Sequence, residues 1–257
     1  MPPANYTPPV PVSVAYYFTR VCNFKCKFCF HTAKNSTLLD IEEAKRGLRM
    51  LADAGMKKIT FAGGEPFTQP RYLGDLVTFC KRELRLESVG IITNGSKVSE
   101  SWLKAFGSNL DQLGVVNKLN WEEDMNSGVE VMDPYRWKVF QCLILEGENS
   151  GSETSINDAR ELVVTDEQFA AFIKRHDGQK NMFAESSELM KDSYLLLDEE
   201  MRFLDCSGGG KVPGRSLLQV GVDQALRDGG FDQEAFDQRG GVYDWTKPAV
   251  AEDNYSW

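Results

Sequence analysis

The chain has 257 residues, of which 42% are hydrophobic and 26% are charged, and its formal net charge is −9. This length is enough for one substantial core, and the negative balance argues against nucleic-acid binding, which depends on many Lys and Arg contacts to phosphate. No apolar run reaches the roughly 18 residues that span a bilayer, and residues 1–11 lack the basic-then-apolar order of a signal peptide. We therefore expect a cytoplasmic protein that binds no nucleic acid.

The hydrophobic pattern predicts strands that alternate with helices along the chain. Strands are expected at 13–19, 58–61, 89–93, 110–115 and 137–145, and a hairpin at 194–204. Helices are expected after Asp40, along 73–84, after Ser99 and after Thr165, which forms a capping box with Gln168. Such alternation is typical of an α/β fold with a parallel sheet, whose functional residues lie at the carboxyl ends of the strands.

One junction conflicts with this pattern. The predicted strand 110–115 leads directly into the strand-like stretch 116–120, with neither turn residues nor a helix between them. Because a parallel crossover needs at least about 10–12 residues, we expect that an internal segment near 115–116 is missing from the chain.

Three cysteines lie within eight residues after the first predicted strand, at Cys22, Cys26 and Cys29. Three thiolates on a four-iron cluster leave one iron open for another ligand, whereas zinc needs a fourth protein ligand, for which His31 is the only nearby candidate. The spacing alone leaves the two metals about equally favoured. The remaining cysteines, at 80, 142 and 206, are interpreted as packing residues.

The spacing of the three cysteines, the aromatic residue before the last of them and the sequence Gly63-Gly64-Glu65-Pro66 together resemble the radical S-adenosylmethionine superfamily. The resemblance implies a partial (β/α)6 TIM-type barrel with a C-terminal extension. It also implies a four-iron four-sulfur cluster on the three cysteines and S-adenosylmethionine at the open iron. The implied S-adenosylmethionine-binding residues are Phe28, Gly63, Gly64, Glu65 and Asn94.

Longer stretches are similar to the viperin family: residues 18–34, 42–47, 136–142, 146–149, 190–194 and 239–241. This similarity implies an antiviral enzyme that dehydrates a pyrimidine nucleoside triphosphate, CTP or UTP, to its 3′-deoxy-3′,4′-didehydro analogue. Ala15 and Tyr17 stand where vertebrate members have an asparagine and a histidine, which makes UTP a competitor to CTP.

Candidate substrate residues come from both arguments. Arg136 and Lys138 are two apart on a predicted strand, so they share one face, which suits either a phosphate or solvent. The resemblance adds Lys58, Lys211 and Arg239 as phosphate contacts. Tyr194 is assigned as the donor of a proton or hydrogen atom late in the reaction, with a structural tyrosine as an equally weighted alternative.

The resemblance also implies an external electron donor and a C-terminal Trp257 that recruits the cytosolic iron–sulfur assembly machinery. The expected organisation is a disordered arm over 1–12, a barrel over 13–178 and a region over 179–257 that closes over the nucleotide. Two other functions remain open from the residues: a radical maturase acting on a peptide or a purine nucleotide, and a zinc-binding interaction module.

Overall fold

The computed structural model of the protein describes residues 9–31, 36–106, 121–132, 137–190 and 193–242. The strands are β1 Ser13–Tyr17, β2 Lys58–Ala62, β3 Ser88–Ile91, β4 Trp137–Phe140, β5 Met182–Glu185, β6 Leu195–Leu197, β7 Arg202–Asp205 and β8 Val212–Ser216. The α-helices are α1 Ile41–Asp53, α2 Pro70–Thr78, α3 Glu100–Phe106, α4 Asn126–Met132, α5 Asp166–Arg175, α6 Ser187–Met190, α7 Leu217–Val220, α8 Val222–Asp228 and α9 Gln233–Gln238. The predicted strand 110–115, the junction at 115–116, Arg136 and Trp257 lie outside these ranges.

The strands of the described ranges form two sheets. The larger has the order β3-β2-β1-β6-β7-β8, and its strands are parallel from β3 to β6, whereas β7 and β8 are antiparallel additions. The smaller sheet is the parallel pair β4 and β5. The predicted α/β class, partial barrel and C-terminal hairpin are confirmed, and β6 adds the C-terminal region to the edge of β1.

The predicted helix starts are confirmed by their hydrogen bonds. The Asp40 carboxylate accepts from the Glu42 N–H at 2.9 Å, and Ser99 Oγ accepts from the Trp102 N–H at 3.2 Å. Thr165 and Gln168 form both bonds of a capping box before α5. Each side chain satisfies a backbone donor that the first helical turn leaves without a partner.

The predicted strand 137–145 is wrong in its extent, because β4 ends at Phe140. The next side chain, Gln141, is buried and joins the start of α5 to the start of α6 instead of extending the sheet. Its amide nitrogen donates to the Val164 carbonyl at 3.2 Å and to Asp166 at 3.0 Å, and its oxygen accepts from the Ser187 N–H at 2.9 Å. The apolar pattern persists to residue 145 because those side chains are buried in a loop.

The two faces of the larger sheet differ in side-chain size. Tyr16 and Phe61 are fully buried in the main core, which packs beneath α1 and α2. On the opposite face the register aligns Ala15 with Thr60 and Thr60 with Gly90, and paired residues of a parallel sheet point to the same side. The small side chains at these three paired positions leave room for a ligand on this inner face. Across the described residues, no helix combines the length and apolar character needed to cross a bilayer.

Candidate active site

The loop that carries Cys22, Cys26 and Cys29, which we call the cysteine loop, begins at the carboxyl end of β1, as predicted. Cys22, Cys26 and Cys29 are free thiols that are each partly exposed. The Cys29 N–H donates to the Cys26 carbonyl at 2.9 Å, and the Phe24 N–H approaches Cys22 Sγ at 3.4 Å. Burial raises the pKa of the Cys26 and Cys29 thiols. Metal binding favours the thiolate form of such ligands.

Within the described part of the chain, no group of three or more His, Cys, Asp or Glu side chains is assembled closely enough to hold a metal ion. The cysteine loop nevertheless fits an iron–sulfur cluster, because it offers three soft thiol ligands within eight residues of the chain. His31, the fourth ligand that zinc needs, is buried with its Nδ1 2.6 Å from Lys211 Nζ. A neighbouring cation disfavours a second cation at that ring, so the loop suits a three-thiolate cluster better than zinc.

Gly63 and Gly64 bring the end of β2 into backbone contact with the chain that leads to Cys22. The Gly64 N–H donates to the Thr19 carbonyl at 2.7 Å, and the next N–H donates to the Val21 carbonyl at 2.8 Å. A Cβ at Gly64 would lie 2.2 Å from the Val21 carbonyl oxygen, and one at Gly63 would lie 2.1 Å from that of Thr19. Only glycine permits this approach, which fixes the start of the cysteine loop.

Glu65 joins the ends of β2 and β3. Its side chain is fully buried, and the carboxylate accepts hydrogen bonds from the Phe67 N–H at 2.9 Å, the Thr93 hydroxyl at 2.7 Å and the Asn94 N–H at 2.7 Å. Both oxygens are thus used within the protein. The carboxylate holds Asn94 at the carboxyl edge of the sheet, where S-adenosylmethionine is predicted to bind.

Asn94 lies beside the first cysteine. Its amide nitrogen donates to Asn23 Oδ1 at 3.1 Å and approaches Cys22 Sγ at 3.9 Å, while its oxygen accepts from the Ser96 N–H at 3.0 Å. The predicted S-adenosylmethionine residues all lie in or against the cysteine loop at this edge of the sheet: Phe28, Gly63, Gly64, Glu65 and Asn94.

Two asparagines that the sequence analysis missed hold the other side of the loop. Buried Asn149 donates to the Phe28 carbonyl and the Leu143 carbonyl, both at 3.0 Å, and Asn157 donates to the Cys29 carbonyl at 3.0 Å. The similarity of residues 146–149 to the viperin family was the one signal that pointed to this loop. These contacts show that the loop containing Asn149 and Asn157 supports the backbone of the cysteine loop.

Lys211 is buried near the cysteine loop. Its Nζ lies 3.3 Å from the Glu148 carboxylate, which also pairs with Arg20 at 2.7 Å. Burial lowers the pKa of Lys211 to about 8, and Glu148 opposes that shift. Burial, reinforced by Lys211, holds the pKa of His31 below its ordinary value, so this imidazole is neutral. Lys211 and Glu148 connect the C-terminal region to the cysteine loop.

Two predicted substrate residues and the predicted catalytic tyrosine meet at a carboxylate that the sequence analysis missed, Glu185 at the end of β5. Lys138 Nζ lies 2.8 Å from Glu185 Oε1, and Arg239 Nη1 lies 3.5 Å from the same oxygen. The Tyr194 hydroxyl donates to Glu185 Oε2 and lies 3.2 Å from Lys138 Nζ. These four residues, which we call the Glu185 cluster, come from β4, β5, the residue before β6 and the residue after α9.

Lys58 lies away from the carboxyl edge of the sheet. It is the first residue of β2 and pairs with Ser13, whereas Gly63 follows the last residue of that strand. Tyr194 directly precedes β6, whose first residue pairs with Val14, so Tyr194 and Lys58 are at the same level of the barrel. These two predicted functional residues therefore lie away from the carboxyl ends of the strands, where the sequence pattern places functional residues. Arg136 is outside the described residues.

Comparison with known proteins places this geometry in a family. A model of the radical SAM superfamily matches residues 16–115. The S-adenosylmethionine-dependent nucleotide dehydratase RSAD2 of Danio rerio is 45% identical over 284 residues, covering 92% of this chain and 79% of its own. The chain belongs to the S-adenosylmethionine-dependent nucleotide dehydratase family. The predicted resemblance to viperin is thereby confirmed, and the zinc-binding module is excluded.

Family membership extends to bacterial sequences. The nucleotide dehydratase of Lacinutrix mariniflava is 30% identical, covering 91% of this chain and 58% of its own. The peptide-bound crystal structure of Streptococcus suis SuiB has a TM-score of 0.56 at 16% identity and covers 88% of this chain and 66% of that one. Identity this low relates the dehydratase chain to SuiB by fold alone, so it does not support a peptide substrate.

Proposed function

We propose that this dehydratase converts a pyrimidine nucleoside triphosphate to its 3′-deoxy-3′,4′-didehydro analogue by radical chemistry. The observation that carries the proposal is the arrangement of one barrel. Its carboxyl edge bears the three-cysteine loop, and its inner side bears the Glu185 cluster, which contains two cations and a phenol. A thiol loop suits a cofactor, and cations suit a polyphosphate.

The cluster and S-adenosylmethionine, when bound, supply a 5′-deoxyadenosyl radical. Cys22, Cys26 and Cys29 are the proposed cluster ligands. Phe28, Gly63, Gly64, Glu65 and Asn94 are the proposed S-adenosylmethionine residues, of which the glycines and Glu65 act by holding the loop and the strand ends in place. This arrangement positions the reacting C–H bond while the barrel excludes water.

The proposed overall change removes the ribose 4′ hydrogen and the 3′ hydroxyl. The hydrogen ends on 5′-deoxyadenosine, and the hydroxyl leaves as water after taking up one proton. Two electrons from an external donor complete the balance, one used in forming the 5′-deoxyadenosyl radical and one in this late step. Tyr194 is proposed to hold the proton, or hydrogen atom, that this late step consumes.

Phosphate binding is assigned to Lys58, Arg136, Lys138, Lys211 and Arg239. The side chains of Lys138 and Arg239 are 20% and 5% exposed, and a buried cation binds phosphate more strongly than a solvated one. Lys211 lies with Glu148 on the cofactor side, so its proposed phosphate contact requires a triphosphate that reaches past Tyr17. CTP is favoured by the resemblance to the viperin family, and UTP is its competitor because Ala15 and Tyr17 stand where vertebrate members have an asparagine and a histidine.

Two further proposals concern the surroundings of the enzyme. An external one-electron donor and the cytosolic iron–sulfur assembly machinery, recruited through Trp257, are proposed partners. A cytoplasmic location agrees with a cluster that needs reducing conditions.

The decisive experiment is anaerobic reconstitution followed by turnover with CTP, UTP, GTP, ATP and cytidine. We expect about four irons per chain and 5′-deoxyadenosine together with a dehydrated nucleotide from CTP or UTP. Cytidine without its triphosphate should react poorly, because it lacks the phosphate groups that the proposed cations hold. Equal turnover of cytidine and CTP, or preference for a purine triphosphate, contradicts the proposal.

A further inference from the structure

We propose that Glu185 is a positioning residue that keeps the phenol of Tyr194 in its proton-donating form beside two cations. The proposal rests on the function proposed above and concerns a residue that no sequence pattern singled out. Glu185 does not need to touch the nucleotide. It acts through Tyr194, whose hydroxyl donates to Glu185 Oε2.

The geometry shows why the phenol needs a neighbouring anion. Lys138 Nζ lies 3.2 Å from the Tyr194 hydroxyl oxygen, and the Arg239 guanidinium stacks 3.8 Å from the centre of the Tyr194 ring. Two cations this close favour a phenolate, because an opposite charge favours the ionised form of an acid. A phenolate cannot donate a proton.

Glu185 cancels this effect because each cation that approaches the phenol also approaches the carboxylate. Lys138 is 2.8 Å and Arg239 is 3.5 Å from Glu185 Oε1. Burial raises the pKa of Tyr194 well above its ordinary value, Arg239 opposes the rise, and Glu185 and the neighbouring Tyr17 add to it. The carboxylate thus acts in the same direction as burial and against the cations.

Glu185 is ionised in this environment. Burial by itself raises its pKa, but the charges of Lys138 and Arg239 outweigh burial, and the pKa lies below its ordinary value. Its side chain is only 2% exposed. Because buried ion pairs can often be replaced by apolar residues without loss of stability, packing alone does not call for a carboxylate here. Its charge is what the Glu185 cluster requires.

The main test is Glu185→Gln, which keeps the size of the side chain and removes its charge. The measured quantity is the ratio of dehydrated nucleotide to 5′-deoxyadenosine at saturating CTP. We expect the ratio to match the wild type near pH 6 and to fall at a lower pH than in the wild type, because the phenol ionises more readily once the carboxylate charge is gone. The midpoint of this fall should lie at least about one pH unit below that of the wild type.

A second measurement identifies the titrating group. Ultraviolet absorption of the Tyr194 phenolate should rise over the same pH range in Glu185→Gln. This contribution should be missing in Glu185→Gln/Tyr194→Phe, where only the other tyrosines titrate. The double variant should have a low ratio at every pH. Glu185→Asp retains the charge and should restore a ratio near that of the wild type at the higher pH values.

Asp198→Asn is the matched control. Asp198 is also a buried carboxylate, at 4% exposed, and it pairs with Arg202 at 2.7 Å in the turn between β6 and β7. Its loss should cost comparable stability and leave the ratio unchanged across the pH range. A change in both variants would assign the effect to general loosening and overturn the proposal.

Should Glu185→Gln fail to fold, Lys138→Gln/Glu185→Gln removes one cation and one anion together. Ultraviolet absorption should then show that Tyr194 ionises close to the wild-type pH. A folded Glu185→Gln protein in which the ratio falls, and the Tyr194 phenolate forms, at the same pH as in the wild type overturns the inference. Failure of the proposed function is different: the wild-type enzyme itself then forms no dehydrated nucleotide.

Discussion

The cysteines of this chain differ in how exposed their thiols are. Cys22, Cys26 and Cys29 are partly exposed in one loop, whereas Cys80 is fully buried in the main core. Burial raises the pKa of the Cys80 thiol, which makes it a small apolar residue and not a ligand. Chemical role therefore follows from exposure and neighbours at this scale.

The first prediction tests that distinction. Cys26→Ala should remove most of the bound iron and abolish 5′-deoxyadenosine formation, because a cluster held by two thiolates lacks a ligand. Cys80→Ala should retain both and lower only the thermal midpoint. Iron analysis and product quantification after anaerobic reconstitution provide the check, and full activity of Cys26→Ala would refute the cluster assignment.

At the scale of elements, the site depends on how closely strand ends approach one another. The end of β2 forms backbone hydrogen bonds with the chain after β1, and Glu65 ties it to the chain after β3. The loop at 145–159 adds hydrogen bonds from Asn149 and Asn157 to the carbonyls of the cysteine loop. The cysteine loop is thus held from two sides by the protein itself.

A second prediction concerns the glycine contact. Gly64→Ala should lower the free energy of unfolding by about 1–3 kcal/mol, because its Cβ would lie 2.2 Å from the Val21 carbonyl oxygen. Gly178→Ala is the control, since nothing lies within 4 Å of a Cβ at that position. Urea denaturation of both variants measures the difference. Equal stability of the two would show that the strand end shifts without cost.

A third prediction concerns Asn149. Asn149→Ala leaves the buried Leu145 N–H and the Phe28 carbonyl without their partner, at a cost of about 1–3 kcal/mol for each buried group left unpaired. Iron content after reconstitution should fall along with stability. Ser152→Ala, whose hydroxyl bonds other hydroxyl groups of the same loop, should retain its iron. Iron loading of Asn149→Ala equal to that of Ser152→Ala would argue against a role in holding the cysteines.

At the scale of the whole molecule, the C-terminal region completes the barrel from its open side. Strand β6 pairs with the edge of β1, and Arg239 donates to the Ser193 carbonyl at 2.9 Å while it approaches Glu185. Lys211 makes a similar connection to Glu148. Residues far apart in the chain are therefore joined by buried charge pairs as well as by strand pairing.

The fourth prediction addresses the length of the chain. The alignment with the Danio rerio relative runs over 284 residues, more than the 257 present here, and the superfamily match ends at residue 115. We expect the protein from its natural source to have an intact mass above 28.9 kDa, with the additional residues inserted near 115–116. Mass spectrometry of the intact protein and its peptides decides this, since a measured 28.9 kDa means that the shortening is genuine.

The sequence by itself determined the features that depend on neighbours in the chain. The cysteine spacing, the helix caps at Asp40 and Thr165, the alternation of strands and helices and the C-terminal hairpin were all predictable. Each depends on residues only a few positions apart, where backbone geometry fixes the distance between side chains. Lys138, Tyr194 and Arg239 were also found, because they fall in stretches similar to a known family.

Only the tertiary structure decided which charges meet. Glu185 and Lys138 are 47 positions apart, and Asn149 reaches a carbonyl 121 positions away. Nothing in composition or periodicity distinguishes Glu185 from an exposed glutamate, because the pairing of a buried charge depends on distance in space and not along the chain. Folding brings the carboxylate between two cations and a phenol, and that proximity gives the residue its chemistry.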